Sequence, residues 1–151
     1  MNDILLAAAL AVFHVHPSEL VLSTISVLVE GNLRLAATVL AVCGKESSLG
    51  QSRAQARLCG AFIPGDQLYV RTPDAQIGRV ISVFTGNYSE AGLRRGFAGW
   101  RCGGDNHPAT VQCRATTGAA YAEQVLGYRR QVLSQLRHAV AVQQHEDGYA
   151  P

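Results

Sequence analysis

Glu46 and Ser47 are the residues whose types and position in this sequence could carry a reaction. Glu46 follows the apolar run 39–43 and precedes the glycine-bearing stretch 47–50. A carboxyl group at such a junction is expected to be partly desolvated, and desolvation favours its protonated form. A protonated carboxyl can serve as a general acid, so Glu46 is the candidate catalytic residue. An exposed glutamate at a helix end, with no catalytic role, is the alternative that this pattern leaves open.

The elements that would position Glu46 are predicted to be helices. Apolar residues recur at helical spacing in three segments of the first third of the chain, 3–15, 19–29 and 33–45. Glu46 would then lie at the end of the third helix, where the polar stretch 46–50 ends the apolar pattern.

The remainder of the chain is also predicted to be mainly helical. Thr72-Pro73-Asp74 is a typical helix start, and this helix should continue to Gly86-Asn87. Ser89 begins a second helix that ends near Trp100, and Thr117 begins the last and longest one. The only candidate strand is a weak one at 67–71. The sequence therefore predicts a single compact domain that is mainly α, or α+β.

The composition fits one folded domain. The chain has 151 residues, of which 48% are hydrophobic and 16% are charged, which excludes an intrinsically disordered chain. The net charge of +2 does not by itself indicate a nucleic-acid partner. Residues 31–142 are assigned to the main domain, and residues 143–151 are predicted to be a frayed tail.

Residues 1–30 form an apolar N-terminal part. The run at 4–15 is too short to span a bilayer. Asn2 and Asp3 precede this run, where a secretory signal would carry positive charge, so we expect synthesis in the cytoplasm without a cleaved signal. Residues 1–30 are predicted to pack as buried helices or to dock on a partner.

The four cysteines allow two disulfides. Cys102 and Cys113 bracket a turn-rich loop that a disulfide could staple, and Cys43 and Cys59 form the complementary pair. Four reduced and buried thiols are the alternative. The spacings do not resemble a zinc site, and we predict no metal and no cofactor.

Several segments together resemble a known family of enzymes. The stretch 35–50, LAATVLAVCGKESSLG, resembles the catalytic helix of soluble lytic transglycosylases and goose-type lysozymes, which delivers a Glu-Ser pair at its end. The segment 58–63 stands where the family has a glycine-rich turn that ends in glutamine. The segment 84–99 resembles the region leading into a Tyr-Asn motif, and 120–126 is similar to the closing helix. The resemblance covers about residues 33–135, with the segments in family order.

The resemblance implies a lysozyme-like fold with a groove beside the end of the catalytic helix. It also implies cleavage of the β-1,4 bond between N-acetylmuramic acid and N-acetylglucosamine in peptidoglycan, with Glu46 acting first as acid and then as base. Ser47 would hold the carboxylate or a nearby backbone group. The implied substrate-binding residues are Gly60, Ala61, Phe62, Tyr88, Phe97 and Trp100, although residues such as Phe97 and Trp100 more often belong to a core.

Two departures from the family pattern bear on activity. The family's glutamine falls on Ile63, which cannot form a hydrogen bond with a sugar. The Tyr-Asn pair falls on 96–98, so the phenol that contacts the acid is missing there, and Tyr88 or Tyr69 could replace it. A lysozyme-like assembly component with a degraded site is therefore the second hypothesis. For the enzyme, the implied partner is the peptidoglycan glycan strand, reached as part of a phage particle or through a secretion machine. Residues 1–30 could dock on such an assembly in either case.

Overall fold

The structure is a computed structural model, and it describes residues 1–50, 59 and 73–148. The predicted strand at 67–71, the predicted helix start at Thr72 and the implied sugar-binding turn at 60–63 lie outside the described residues. The residues that are described form helices joined by short connections, with no strand among them. The prediction of a mainly helical, single compact chain is confirmed.

Seven helices lie within the described residues: α1 (Asn2–Phe13), α2 (Glu19–Val29), α3 (Leu33–Ser47), α4 (Pro73–Phe84), α5 (Glu90–Cys102), α6 (Pro108–Ala115) and α7 (Thr117–Gly148). Polar side chains begin several of them. The side chains of Ser18, Asn32 and Ser89 each accept a hydrogen bond from a backbone N–H in the first turn of α2, α3 and α5.

Two helices differ from the sequence prediction. α6 was not predicted, and it begins with a His107 cap followed by Pro108 at the first helical position. α7 continues to Gly148, so residues 143–148 are helical where a frayed tail was predicted. These last residues are exposed, and the helix there continues beyond the part that packs on the core.

α7 is the centre of the packing, because α1, α3, α5 and α6 all contact it. α2 packs on α1, α3 and α4 and does not contact α7. Buried apolar side chains from α1 and α2, such as Leu5 and Ile25, belong to the same core as those of α3 and α7. Residues 1–30 thus pack into the domain, although Leu20 and Val27 of α2 remain 60% and 72% exposed.

α3 and α7 lie side by side in opposite directions. Glu46 near the end of α3 bonds to Tyr121 near the start of α7, and Thr38 further back on α3 bonds to Arg129 further along α7. This arrangement sets the last turn of α3 against the first turns of α7. No helix in the described part of the chain is long and apolar enough to span a membrane.

Candidate active site

Glu46 lies in the last turn of α3 and is partly buried. The chain leaves the helix immediately after it through two non-glycine residues in left-handed conformations, Ser48 (φ 48°) and Leu49 (φ 57°). Leu49 is fully buried, so the turn folds back onto the core. Left-handed backbone at non-glycine residues costs free energy and persists where the surrounding structure enforces it, which is common at functional sites.

Ser47 stabilises this turn by bonding to the backbone. Its Oγ lies 3.3 Å from the carbonyl oxygen of Cys43, to which it donates, and it accepts from the N–H of Gly50 at 3.0 Å. Ser47 is fully buried. Ser47 was expected to hold either the carboxylate or a nearby backbone group, and the structure shows bonds to backbone groups. These bonds fix the direction in which α3 ends beside Glu46.

Tyr121 is the side chain that contacts the Glu46 carboxylate. Its hydroxyl donates to Oε1 of Glu46 at 2.5 Å, and the tyrosine is 7% exposed. Burial, followed by the hydrogen bond and the negative charge of Glu46, raises the pKa of Tyr121 far above its ordinary value, against a smaller opposing effect of Arg101. Tyr121 is therefore a neutral hydrogen-bond donor near neutral pH.

The second carboxylate oxygen of Glu46, Oε2, forms no hydrogen bond with any residue among 1–50, 59 and 73–148. A carboxyl group with one oxygen held by a fixed donor has its second oxygen in a fixed direction, which suits proton exchange with a ligand. The arrangement can thus deliver a proton from Oε2 and later accept one there.

α1 approaches α3 closely just before Glu46. A Cβ atom on Gly44 would clash with the ring of Phe13, so any larger residue at this position requires the ring to shift. Phe13 also packs on Tyr128 of α7, with ring centroids 5.1 Å apart. This contact lets one aromatic ring hold α1, α3 and α7 together next to the last turn of α3.

A disulfide joins Cys43 to Cys59, with Cα atoms 5.4 Å apart and both residues fully buried. Cys43 precedes Glu46 by three residues on α3. The disulfide therefore fixes residue 59, which directly precedes the implied sugar-binding turn, to the helix that carries the candidate acid.

A second disulfide joins Cys102 at the end of α5 to Cys113 in α6. The first turn of α7 packs directly against it, because a Cβ on Gly118 would lie 2.8 Å from Sγ of Cys102 and 3.1 Å from the carbonyl oxygen of Cys113. Gly118 precedes Tyr121 by three residues. Glu46 and Tyr121 are thus each close in the chain to a residue that forms or contacts a disulfide. The alternative of four reduced thiols does not hold in this structure.

The other implied sugar-binding residues lie apart from Glu46 or within the core. Asn32 Nδ2 donates to the hydroxyl of Tyr88 at 2.8 Å, so this phenol lies at the start of α3, the end opposite Glu46. Tyr88 is therefore not the phenol that contacts the acid. Phe97 is fully buried against Phe84, with ring centroids 5.0 Å apart, and offers no ring face to a sugar.

Trp100 is partly buried at the edge of the same aromatic cluster, 5.8 Å from Phe84 between ring centroids. The guanidinium carbon of Arg79 lies 5.6 Å from the centre of its ring. The alternative that Trp100 is a packing residue fits these contacts. Gly60, Ala61, Phe62, Ile63 and Tyr69 lie outside the described residues.

In the described part of the chain, no group of three or more histidine, cysteine, aspartate or glutamate side chains could hold a metal ion. Comparison of the chain with models of protein families, with curated proteins and with solved structures finds no match.

Tyr121 is the site residue that the sequence did not assign. The helical spacing placed it on the inner face of the last helix, and the resemblance placed it in the closing helix, but neither paired it with Glu46. Its neighbour Val125 is fully buried four residues later, which shows that this face of α7 points inward. A buried hydroxyl on a mainly apolar helix face requires a partner, and that requirement is the signal that could have identified it.

Proposed function

We propose that this chain is a lytic transglycosylase that cleaves the β-1,4 bond between N-acetylmuramic acid and N-acetylglucosamine in peptidoglycan. The observation that carries the proposal is the hydrogen bond from Tyr121 to Glu46, at the end of the helix that resembles the family's catalytic helix. A lysozyme-like fold, with a groove for the glycan strand beside the end of α3, is part of the proposal.

In the first step, Glu46 is the general acid. Tyr121 holds Oε1, and the proton on Oε2 passes to the glycosidic oxygen as the bond to the muramoyl C1 breaks. The leaving group departs as a neutral alcohol, and positive charge develops at C1 and the ring oxygen. The substrate's own acetamido group can support that charge, so a second protein carboxylate is not required.

In the second step, Glu46 is the general base. Its carboxylate accepts the proton of the muramoyl C6 hydroxyl, and the C6 oxygen forms a bond to C1. The product is a 1,6-anhydro sugar, and Glu46 is protonated again for the next turnover. The attacking hydroxyl belongs to the same sugar ring, so the reaction gains the rate advantage of proximity.

Tyr121 contributes by staying neutral through both steps. The hydrogen bond to Oε1 orients the carboxyl group whether Glu46 is protonated or ionised, and the raised pKa of Tyr121 keeps the donor in place. The bond to Oε1 also leaves Oε2 as the oxygen that exchanges protons with the substrate.

Two disulfides suit a protein that works outside the reducing cytoplasm. We therefore place its action in the periplasm and cell wall, reached as a component of a phage particle or through a secretion machine. Docking to that assembly would use residues 1–30, whose side chains Leu20 and Val27 remain exposed on α2.

A second candidate function is a structural component of such an assembly, with a lysozyme-like fold and no activity. The specific observation that favours it is Ile63, which stands where the family has a glutamine that binds the sugar. The presence of both Glu46 and a phenol in contact with it favours the enzyme.

The deciding experiment compares the wild type, Glu46→Gln and Glu146→Gln on purified murein. The first variant keeps the side chain's shape and removes its proton chemistry. The second changes an exposed glutamate near the end of α7 and is the matched control. We expect 1,6-anhydro-muropeptides from the wild type and from Glu146→Gln, and none from Glu46→Gln.

The product identifies the reaction class. Reducing-end muropeptides in place of anhydro products would show a lysozyme-type hydrolase that uses the same acid. If the folded wild type releases no product, the enzyme proposal fails and the structural component is favoured.

A further inference from the structure

Helix α2 presents apolar side chains to solvent. Leu20 and Val27 are 60% and 72% exposed. They are seven residues apart, so they lie on the same side of the helix, about 10 Å from each other. A pocket of about 230 Å³ opens on this helix and is lined by Ser23, Thr24, Val27 and Leu28. These four residues and Leu20 are the α2 surface, which can receive apolar side chains of a partner.

Glutamates stand at both ends of the α2 surface. Glu19 is the first residue of α2 and Glu30 ends it, and both are exposed. Glu30 comes one turn after Val27 on the same side of the helix. Glu19 accepts a hydrogen bond at 3.2 Å from Nδ2 of Asn2, an uncharged donor. Neither glutamate belongs to the ion pairs between described residues, and residues 1–33 contain no lysine or arginine. The α2 surface is thus apolar in its middle and negatively charged at its ends.

Glu30 is an unfavourable residue for the end of α2. It adopts a left-handed conformation (φ 51°), which favours glycine or asparagine. Its carboxylate also lies at the negative end of the helix dipole, where a cation would stabilise the helix. The nearest arginine in the sequence, Arg34, forms no ion pair with it in the described part of the chain. A cation supplied by a partner would therefore stabilise both the carboxylate and the end of the helix.

The chemistry of the α2 surface selects among partners. A helix has no free backbone edge to which an extended peptide can add as a strand, so recognition must use side chains. Exposed Asp3, Glu19 and Glu30, with no lysine or arginine in 1–33, oppose contact with an anionic membrane, which attracts basic segments. The two apolar side chains are two helical turns apart, and the glutamates are eleven residues, or about 16 Å, apart. A second helix laid along α2 matches both spacings.

We propose that the α2 surface binds a basic amphipathic helix of a partner protein. Apolar side chains of that helix cover Leu20 and Val27 and enter the pocket, while lysine or arginine side chains at its two ends pair with Glu19 and Glu30. This gives the chemistry of the partner for the docking of residues 1–30 and rests on that part of the proposed function. It does not depend on the reaction at Glu46.

The test uses a synthetic helical peptide and the full chain. The peptide carries two leucines seven residues apart, with lysines eleven residues apart on either side of them, in an alanine background, and the comparison peptide has glutamates in place of the lysines. Calorimetry measures both. We expect saturable binding of the lysine peptide and at least about tenfold weaker binding of the glutamate peptide. Leu20→Ala/Val27→Ala should raise the dissociation constant of the lysine peptide at least about tenfold, whereas Val142→Ala, at an exposed valine of α7, should leave it unchanged.

Glu30→Gln separates the charge at the end of α2 from the stability of the fold. We expect the dissociation constant of the lysine peptide to rise about twofold to fivefold at low salt. The midpoint of thermal unfolding should stay the same or rise, because the carboxylate is removed from the negative end of the dipole. Glu146→Gln removes the same charge from an exposed position on α7 and should leave peptide binding unchanged.

Equal binding of the two peptides, or peptide binding that survives Leu20→Ala/Val27→Ala, would overturn the proposal. The same double variant identifies other occupants when the lysine peptide does not bind. Self-association of the wild type that the variant loses would assign the α2 surface to a second copy of the chain, and lost binding to phosphatidylcholine vesicles would assign it to a membrane. Either result overturns the proposal. The peptide assay contains no murein, so failure of the docking and failure of the proposed reaction are separate results.

Discussion

The hydroxyl of Tyr121 donates a hydrogen bond to Oε1 of Glu46 although 75 residues separate them in the sequence. The contact follows from the antiparallel packing of α3 and α7. Thr38 and Arg129, eight residues back on α3 and eight residues along α7, form the next bonded pair between the same helices. The position of the Tyr121 hydroxyl relative to Glu46 thus depends on the register between α3 and α7.

Replacing Tyr121 with phenylalanine tests the role of this hydrogen bond. The ring stays in the core, while Oε1 of Glu46 loses its donor. We expect cleavage of murein to fall by about tenfold to a hundredfold, because a preorganised donor to the reacting group is lost. The rate of anhydro-muropeptide release is the measurement.

The matched control is Tyr128→Phe, which changes a tyrosine of the same helix that packs on Phe13. We expect this variant to keep the wild-type rate. Equal rates for Tyr121→Phe and the wild type would remove Tyr121 from the proposed mechanism.

The raised pKa of Tyr121 predicts how stability changes at alkaline pH. Tyr121 ionises near pH 10 in the unfolded chain but not in the folded protein, so above pH 10 the unfolded state binds fewer protons. The contribution of Tyr121 to stability is therefore present below pH 10 and is lost as pH rises above it. In urea unfolding at increasing pH, we expect the free energy of unfolding to fall more steeply for the wild type than for Tyr121→Phe. Parallel curves would contradict the burial of this phenol.

The close approach of α1 and α3 gives a prediction about two glycines. Gly44→Ala places a methyl group in collision with the ring of Phe13, whereas the methyl group of Gly78→Ala in α4 meets no atom within 4 Å. We expect Gly44→Ala to lower the free energy of unfolding by about 1–3 kcal/mol, because the ring must move. Gly78→Ala should raise it by up to about 1 kcal/mol, since alanine favours a helix. Thermal unfolding of both variants checks the difference, and similar values would show that the ring moves at no cost.

The order of the helices could be predicted from the sequence. Helical spacing of apolar residues and capping side chains such as Asn32 and Ser89 act locally, so they set where α3 and α5 begin. α6 was missed because none of its residues is buried and it has no apolar periodicity. It depends on the His107 cap and on the disulfide at Cys113, which are not visible as a pattern.

One member of the Glu46–Tyr121 pair could be selected from the sequence alone. Glu46 could be chosen from its place at the end of an apolar helix, which is local information. The phenol that contacts it was sought at Tyr88 or Tyr69, because spacing along one helix does not determine which side chains meet across two helices. Phe97 shows the same difficulty, since a buried ring and a sugar-stacking ring have the same sequence pattern.

From the positions of the two disulfides, we predict that the candidate site assembles fully only when the cysteines are oxidised. Cys43 and Cys59 close a loop of 16 residues next to Glu46, and Gly118 in the first turn of α7 packs on Cys102 next to Tyr121. Each loop closure stabilises the fold by about 3 kcal/mol in the chain-entropy account. We expect dithiothreitol to reduce both protein disulfides while its own two thiols are oxidised to a disulfide. The free energy of unfolding and the rate of murein cleavage should then both fall.

Variants separate the two contributions. Cys43→Ala/Cys59→Ala should lower stability by about 3 kcal/mol and lower cleavage even where the protein remains folded, because residue 59 is released from the helix that carries Glu46. Cys102→Ala/Cys113→Ala loosens the contact at Gly118 and should reduce cleavage through Tyr121. If a folded double variant keeps the wild-type rate, its disulfide contributes to stability alone and does not position the Glu46–Tyr121 pair.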